Sequence, residues 1–223
     1  LAGDGSLWLS ASGGGVQQRD VATGRILQDI PADAAHGLGA GDFEAMLVSP
    51  RDEVWIAGGD GVALLDAVHG RFRHVAELGE ERVYALAFDG ADLLWLQRQS
   101  GLARYRRDGA RWQLEEHVDT AHGMPAVGAA GMQVGRRHRV WLFTSRGLYR
   151  YDPQSHTLRR HGIRARAASQ EFLDRALAMS SEGVLAAATS DGGILLVDTT
   201  AADPAPTAHV RLFGSSENAN LDI

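Results

Sequence analysis

Apolar runs of four to seven residues, each closed by Gly, Asp, Ser or Pro, succeed one another along the chain. Runs of that length between turn residues predict strands rather than helices. The alternation is plainest between residues 83 and 114. Val83-Tyr84-Ala85-Leu86-Ala87-Phe88 ends in Asp89-Gly90-Ala91-Asp92, and Leu93-Leu94-Trp95-Leu96 follows. The loop Gln97-Arg98-Gln99-Ser100 leads to Gly101-Leu102-Ala103-Arg104-Tyr105, and after Arg107-Asp108-Gly109 the segment Trp112-Gln113-Leu114 completes four strands and three tight turns. Residues 43–48, 54–57, 62–65 and 72–75 read the same way, as do 127–134, 140–143, 148–151 and 157–160.

The units are copies of one another. Trp8, Trp55, Trp95 and Trp141 each sit between two aliphatic residues, at intervals of 47, 40 and 46, and each is followed six or seven positions on by Gly and an aliphatic residue: Gly15-Val16, Gly61-Val62, Gly101-Leu102, Gly147-Leu148. A fifth copy emerges when the tryptophan is allowed to vary. Leu185-Ala186-Ala187-Ala188-Thr189-Ser190-Asp191-Gly192 aligns with Val140-Trp141-Leu142-Phe143-Thr144-Ser145-Arg146-Gly147, so Ala186 takes the tryptophan position. Four antiparallel strands at a period of 40 to 50 residues predict an all-β fold, a β-propeller of four-stranded antiparallel blades with about five blades present. The inner strands, packed on both faces, should be continuously apolar, and each tryptophan should fill the wedge between blades. The repeats lie near 1–32, 33–78, 79–120, 121–165 and 166–213, with 210–213 as the last strand and 214–223 a tail leading toward a following domain. Only seven residues precede Trp8, whereas the inner strands of the second and third repeats begin twelve residues before their tryptophans. The chain therefore reads as part of a larger propeller, a closed five-bladed ring being the alternative.

Composition changes this picture little. Hydrophobic residues make up 44% and charged residues 22% of the 223, ordinary proportions for a globular chain large enough to bury a core. Cysteine is absent, so disulfides and thiolate metal sites play no part and the redox compartment stays open. A net charge of −6 argues against nucleic acid, which requires a clustered basic surface. The basic run Arg136-Arg137-His138-Arg139, between two strand-like segments, reads as a solvated turn. No run approaches eighteen apolar residues, so any membrane attachment is expected only through segments outside this chain.

The text around the tryptophans resembles the two-component regulator propeller repeat, "LW", then "T/S-x-x-G-L-x-x-Y-D", then a loop with "G-L-P". Val140-Trp141-Leu142-Phe143-Thr144-Ser145-Arg146-Gly147-Leu148-Tyr149-Arg150-Tyr151-Asp152-Pro153 carries it most fully, with loop text at His36-Gly37-Leu38 and His122-Gly123-Met124-Pro125. Ser169-Gln170-Glu171-Phe172 is similar to the family segment that opens the last blade. Arg19 and Leu65 depart from the expected aromatic before Asp20 and Asp66, and Ala186 from the tryptophan. The resemblance implies a fragment of a seven-bladed propeller in the periplasmic part of a membrane-anchored bacterial sensor. Histidine kinase or diguanylate cyclase activity would then lie outside this segment.

Candidate chemistry is sparse. Gly37-Leu38-Gly39-Ala40-Gly41 has the glycines of a phosphate loop but precedes a strand, not the helix such a loop needs. The nine histidines show no ligand spacing with a third donor, no serine stands in a nucleophile elbow, and Glu80-Glu81 and Glu115-Glu116, adjacent on a strand, point to opposite faces. No catalytic residue, metal or cofactor is expected. What remains is position: in a propeller, the loops between second and third strands and between blades converge on one end. That end would gather His36, Asp60, Gln97, Arg98, His122, Arg146 and Asp191 as candidate ligand-binding residues. The expected function is a non-catalytic sensor module for a small-molecule or carbohydrate ligand. A propeller enzyme, lyase or glycan hydrolase, and a protein-binding scaffold are the alternatives. An unpaired sheet edge would also favour a homodimer.

Overall fold

A computed structural model describes residues 2–10, 15–38, 43–161, 172–189, 193–200 and 206–211. It is all-β, and its contacts divide the chain into two compact units, 1–117 and 118–223. The first unit holds three antiparallel sheets. The first sheet has three strands, β1 (Ser6–Ser10), β2 (Val16–Asp20) and β3 (Ile26–Ile30), in the order β1-β2-β3. The second runs through β4 (Phe43–Val48), β5 (Val54–Gly58), β6 (Gly61–Asp66) and β7 (Arg71–His74), and the third through β8 (Val83–Phe88), β9 (Leu93–Arg98), β10 (Gly101–Asp108) and β11 (Arg111–Val118), each a meander in chain order. The second unit repeats the meander twice. Its sheets are β12 (Ala129–Val134), β13 (Val140–Thr144), β14 (Gly147–Asp152), β15 (Thr157–His161) and β16 (Phe172–Met179), β17 (Val184–Thr189), β18 (Gly193–Asp198), β19 (Pro206–Arg211). These sheets are the blades of a β-propeller.

Strand register makes the repeat exact at the level of single residues. Trp8 stands opposite Gln18, Trp55 opposite Leu64, Trp95 opposite Arg104 and Trp141 opposite Arg150, each on the strand that follows. Ala186 stands opposite Leu196 in the same way, which places it at the tryptophan position that spacing predicts.

The tryptophans fill the space between sheets. Trp55 is fully buried, its ring edge-on to Phe88 at 5.6 Å and to Trp112 at 5.7 Å, both on the third sheet. Its neighbours Val54 and Ile56 point the other way and join Val16 and Ile30 of the first sheet in a separate cluster. Alternation along one strand thus serves two interfaces, and burying an aromatic of that size contributes about 2–3 kcal/mol. In the second unit Trp141 packs with Leu185, Leu195 and Val197 across the two sheets, and Phe143 meets Phe172 edge-on at 4.9 Å. The first sheet differs: Leu7 and Leu9 are 36% and 38% exposed, whereas their counterparts Val54 and Ile56 are 5% and 4% exposed.

Several boundaries move from their expected places, β10 and β11 running on to Asp108 and Val118 among them. β12 opens at Ala129 because the Val127 amide donates to the Pro125 carbonyl at 2.9 Å, closing a tight turn. β9 runs to Arg98, two residues beyond the apolar run. β19 spans Pro206–Arg211 rather than 210–213, with proline at the start of an outer strand, where its missing N–H breaks no ladder. The basic run Arg136-Arg137-His138 is an exposed single-turn 3-10 element, and Arg139 turns inward to pair with Asp152 at 3.1 Å.

Candidate ligand-binding cleft

Three segments of the first unit meet at one end of the second sheet. The first is the loop that follows β3, a 3-10 turn over Ala34–His36. Asp33 caps it: the His36 amide donates to the Asp33 carboxylate at 2.9 Å, and His36 Nδ1 lies 2.6 Å from the same oxygen. Those hydrogen bonds from His36 hold the Asp33 carboxyl below its ordinary range. Gly37 then takes φ 69°, and a Cβ there would come 2.0 Å from the Phe72 carbonyl oxygen, so only glycine lets this loop lie against β7. Leu38 is thereby buried.

The second segment is the β5–β6 hairpin, Gly58-Gly59-Asp60-Gly61. Gly61 has φ 88°, and a Cβ on it would stand 2.5 Å from the Gly79 carbonyl and 3.2 Å from His74 Nε2. The third is Gly79-Glu80-Glu81-Arg82, which leads into β8. Between them opens a cleft of about 860 Å³, floored by Leu38, Ile56 and Val62 and rimmed by Asp60, His74, Glu80 and Arg82. That is within the size range of small-molecule sites.

Backbone irregularity sets the polar groups at this end. The β4–β5 ladder shifts register between Phe43 and Ala45, and the β8–β9 ladder between Val83 and Ala85, so Glu44 and Tyr84 are the extra residues of two equivalent bulges. Arg82 binds Glu44 through Nε at 3.0 Å and through a second contact from Nη2, and its guanidinium lies 5.4 Å from the centre of the Tyr84 ring. The hydrogen bonds to Glu44 raise the Arg82 pKa further. Tyr84 donates to Gln99 at 3.3 Å. Glu81 accepts the Ser100 amide at 2.9 Å and its hydroxyl at 2.7 Å. Asp60, His74 and Glu80 are different: all three are exposed, and among the described residues their side chains make no hydrogen bond or ion pair.

Of the seven residues singled out from sequence, Asp60 stands on the rim, and His36 belongs to the loop that supplies Leu38. Gln97 and Arg98 do not belong to an open loop. They end β9 and are buried, because the strand continues past Leu96. Gln97 donates to the Arg98 carbonyl at 2.9 Å. Arg98 donates to the Tyr105 hydroxyl at 2.9 Å and to the Leu78 carbonyl, tying the third sheet to the turn before it. His122 lies in the second unit in a copy of the Asp33 turn: Asp119 accepts the Ala121 amide at 2.9 Å and lies 2.8 Å from His122 Nδ1, with Gly123 at φ 87° and Met124 buried behind it. Arg146 is exposed on the β13–β14 turn, its amide donating to Thr144 Oγ1 at 3.1 Å. Asp191 lies outside the described residues. Sequence reading missed His74, Glu80 and the Glu44–Arg82 pair. The available signal was the glycine that ends the loop before each inner strand: Leu78-Gly79-Glu80 holds the place of His36-Gly37-Leu38 one repeat earlier. Among the described residues no group of three or more His, Asp or Glu side chains is arranged to hold a metal ion.

No protein-family model and no curated protein matches the chain. Solved structures do. The extracellular domain of a hybrid two-component system from B. thetaiotaomicron aligns with 97% of this chain and 31% of its own, at 15% identity and a TM-score of 0.71. A second such domain from the same organism aligns with 88% of this chain and 26% of its own, at 16% identity and a TM-score of 0.62. Virginiamycin B lyase from Staphylococcus aureus aligns with 93% of this chain and 70% of its own, at 12% identity and a TM-score of 0.60. The chain spans less than a third of each of these two extracellular domains. At these identities the similarity is one of fold.

Proposed function

We propose that this chain is part of an extracytoplasmic, periplasmic sensor propeller of a bacterial membrane-anchored signalling receptor. Its role there is to bind a small-molecule or carbohydrate ligand without transforming it. The observation that carries the reading is the cleft at the loop end of the second sheet, where Asp60, His74 and Glu80 stand free over an apolar floor while neighbouring polar side chains such as Glu44, Glu81 and Arg82 are engaged with other residues. The similarity of fold to extracellular sensor domains supports the setting. Kinase or cyclase output belongs to segments outside this chain.

The reading is tested with the purified chain in a thermal-shift panel of saccharides and small metabolites. A ligand should raise Tm by mass action, and the gain should disappear in Gly61→Val, which closes the cleft. If no compound shifts Tm, or if Gly61→Val leaves the shift intact, binding at this cleft is excluded. Turnover of any bound compound would replace the sensor reading with the lyase or hydrolase alternative.

A further inference from the structure

Most carboxylates of the first unit are occupied. Glu44 holds Arg82, Glu53 holds Arg107, Asp66 holds His69 and Arg73, Glu81 holds Ser100, Asp92 holds Arg51 and Glu115 holds Arg106. Among the described residues of that unit, Asp60, Glu77 and Glu80 are the carboxylates without a hydrogen bond or ion pair, and two of the three line the cleft. The rim guanidinium, Arg82, is already neutralised by Glu44. The charge left unbalanced over the apolar floor is therefore negative, and an imidazole, His74, adds an acceptor or a donor beside it.

Resting on the ligand-binding reading above, we infer that the cleft takes a ligand bearing a primary ammonium group on an apolar body. The ammonium donates to Asp60 and Glu80 while the body covers Ile56, Val62 and Leu38. An ammonium supplies three donors and one positive charge, which suits two acceptor-only carboxylates; an anion would meet like charge and a neutral hydroxyl only half the interaction. A bare divalent cation is disfavoured because it requires more oxygen ligands than two side chains provide.

Three probes of one shape separate these chemistries: 2-phenylethylamine, 2-phenylethanol and phenylacetate, titrated into the whole chain while the amides of residues 58–62 are followed by NMR. The amine should bind at least about tenfold more tightly than the alcohol, with phenylacetate weakest. Asp60→Asn with Glu80→Gln should remove the advantage of the amine and leave the alcohol unchanged. Glu77→Gln, the third free carboxylate but outside the cleft, should change nothing. Equal binding of amine and alcohol overturns the ammonium assignment and leaves a ligand cleft in place, as does an amine preference that survives the double substitution. Tighter binding of Ca²⁺ than of the amine at the same amides makes the site a cation site instead. If none of the probes perturbs those amides, the ammonium assignment falls, and the cleft reading stands or falls on the saccharide and metabolite panel alone.

Discussion

The two ends of the second sheet are built from the same strands and finished in opposite ways. At the end where β4 turns into β5, the polar side chains of the turn itself are tied. Ser49 Oγ accepts the Arg51 and Glu53 amides, the Gly3 amide donates to Asp52 at 2.6 Å, and Glu53 receives both Nη groups of Arg107 at 2.9 Å. Arg107 also stacks on Trp112, which touches Trp55, so the ion pair lies directly over the aromatic wedge. At the opposite end the β5–β6 hairpin leaves Asp60, Glu80 and His74 without partners around a concavity. At the turn end the polar side chains are taken up in contacts; at the cleft end Glu44, Glu81 and Arg82 are taken up as well, and Asp60, His74 and Glu80 are left available to a ligand. The contrast teaches where function sits in a repeat whose four strands are otherwise equivalent.

The contrast can be broken from either side. The largest effect is expected for Trp55→Ala, which removes a fully buried ring between two sheets; a loss of about 3–5 kcal/mol should appear in urea unfolding. Gly37→Ala should follow at about 1–3 kcal/mol, because φ 69° and a Cβ 2.0 Å from the Phe72 carbonyl force the loop to move, and the cleft should lose its Leu38 wall at the same time. Glu53→Gln should cost about 1 kcal/mol at neutral pH, since the pair with Arg107 is only partly buried. That substitution also carries a pH signature. Burial opposes ionisation of Glu53, but hydrogen bonds and charge from Arg107 outweigh it and hold its carboxyl below the usual range. The stability it supplies is therefore complete above the unfolded glutamate pKa and is lost as pH falls through the lower folded value. Urea midpoints measured downward from pH 5 should fall more steeply in the parent than in Glu53→Gln, and parallel curves would remove the ion pair from the account. The smallest effect on stability is expected from Asp60→Asn and Glu80→Gln, within about 0.5 kcal/mol, because neither side chain has a partner to lose. A large loss there would mean that the cleft end is structural after all, and the difference between the two ends would vanish.

Much of the fold was legible along the chain. A period of 40 to 50 residues, the fixed distance from tryptophan to glycine, and the alternation Val54-Trp55-Ile56 all express one constraint: a strand buried on both faces must put its large ring one way and its aliphatics the other. Ala186 was legible for the same reason, since register is periodic even where the side chain is not. Boundaries were less so, because Gln97 and Arg98 carry polar side chains and read as loop, yet the ladder to β10 continues through both. Of the site, Asp60 was visible as a turn residue between two strands. His74, Glu80 and Arg82 were not, because they come from separate segments and converge only when Gly37 and Gly61 let three loops approach within van der Waals contact.

By itself the sequence determined the class of fold, the number of repeats and the residue that anchors each wedge, because those depend on local period and on burial, which every repeat states again. The tertiary structure alone decided which polar groups are spent and which are free. Glu81 and Glu80 are neighbours of the same type; one is consumed by Ser100 and the other faces an open cleft. That difference follows from where neighbouring sheets and loops come to lie, a non-local outcome that no spacing along the chain records.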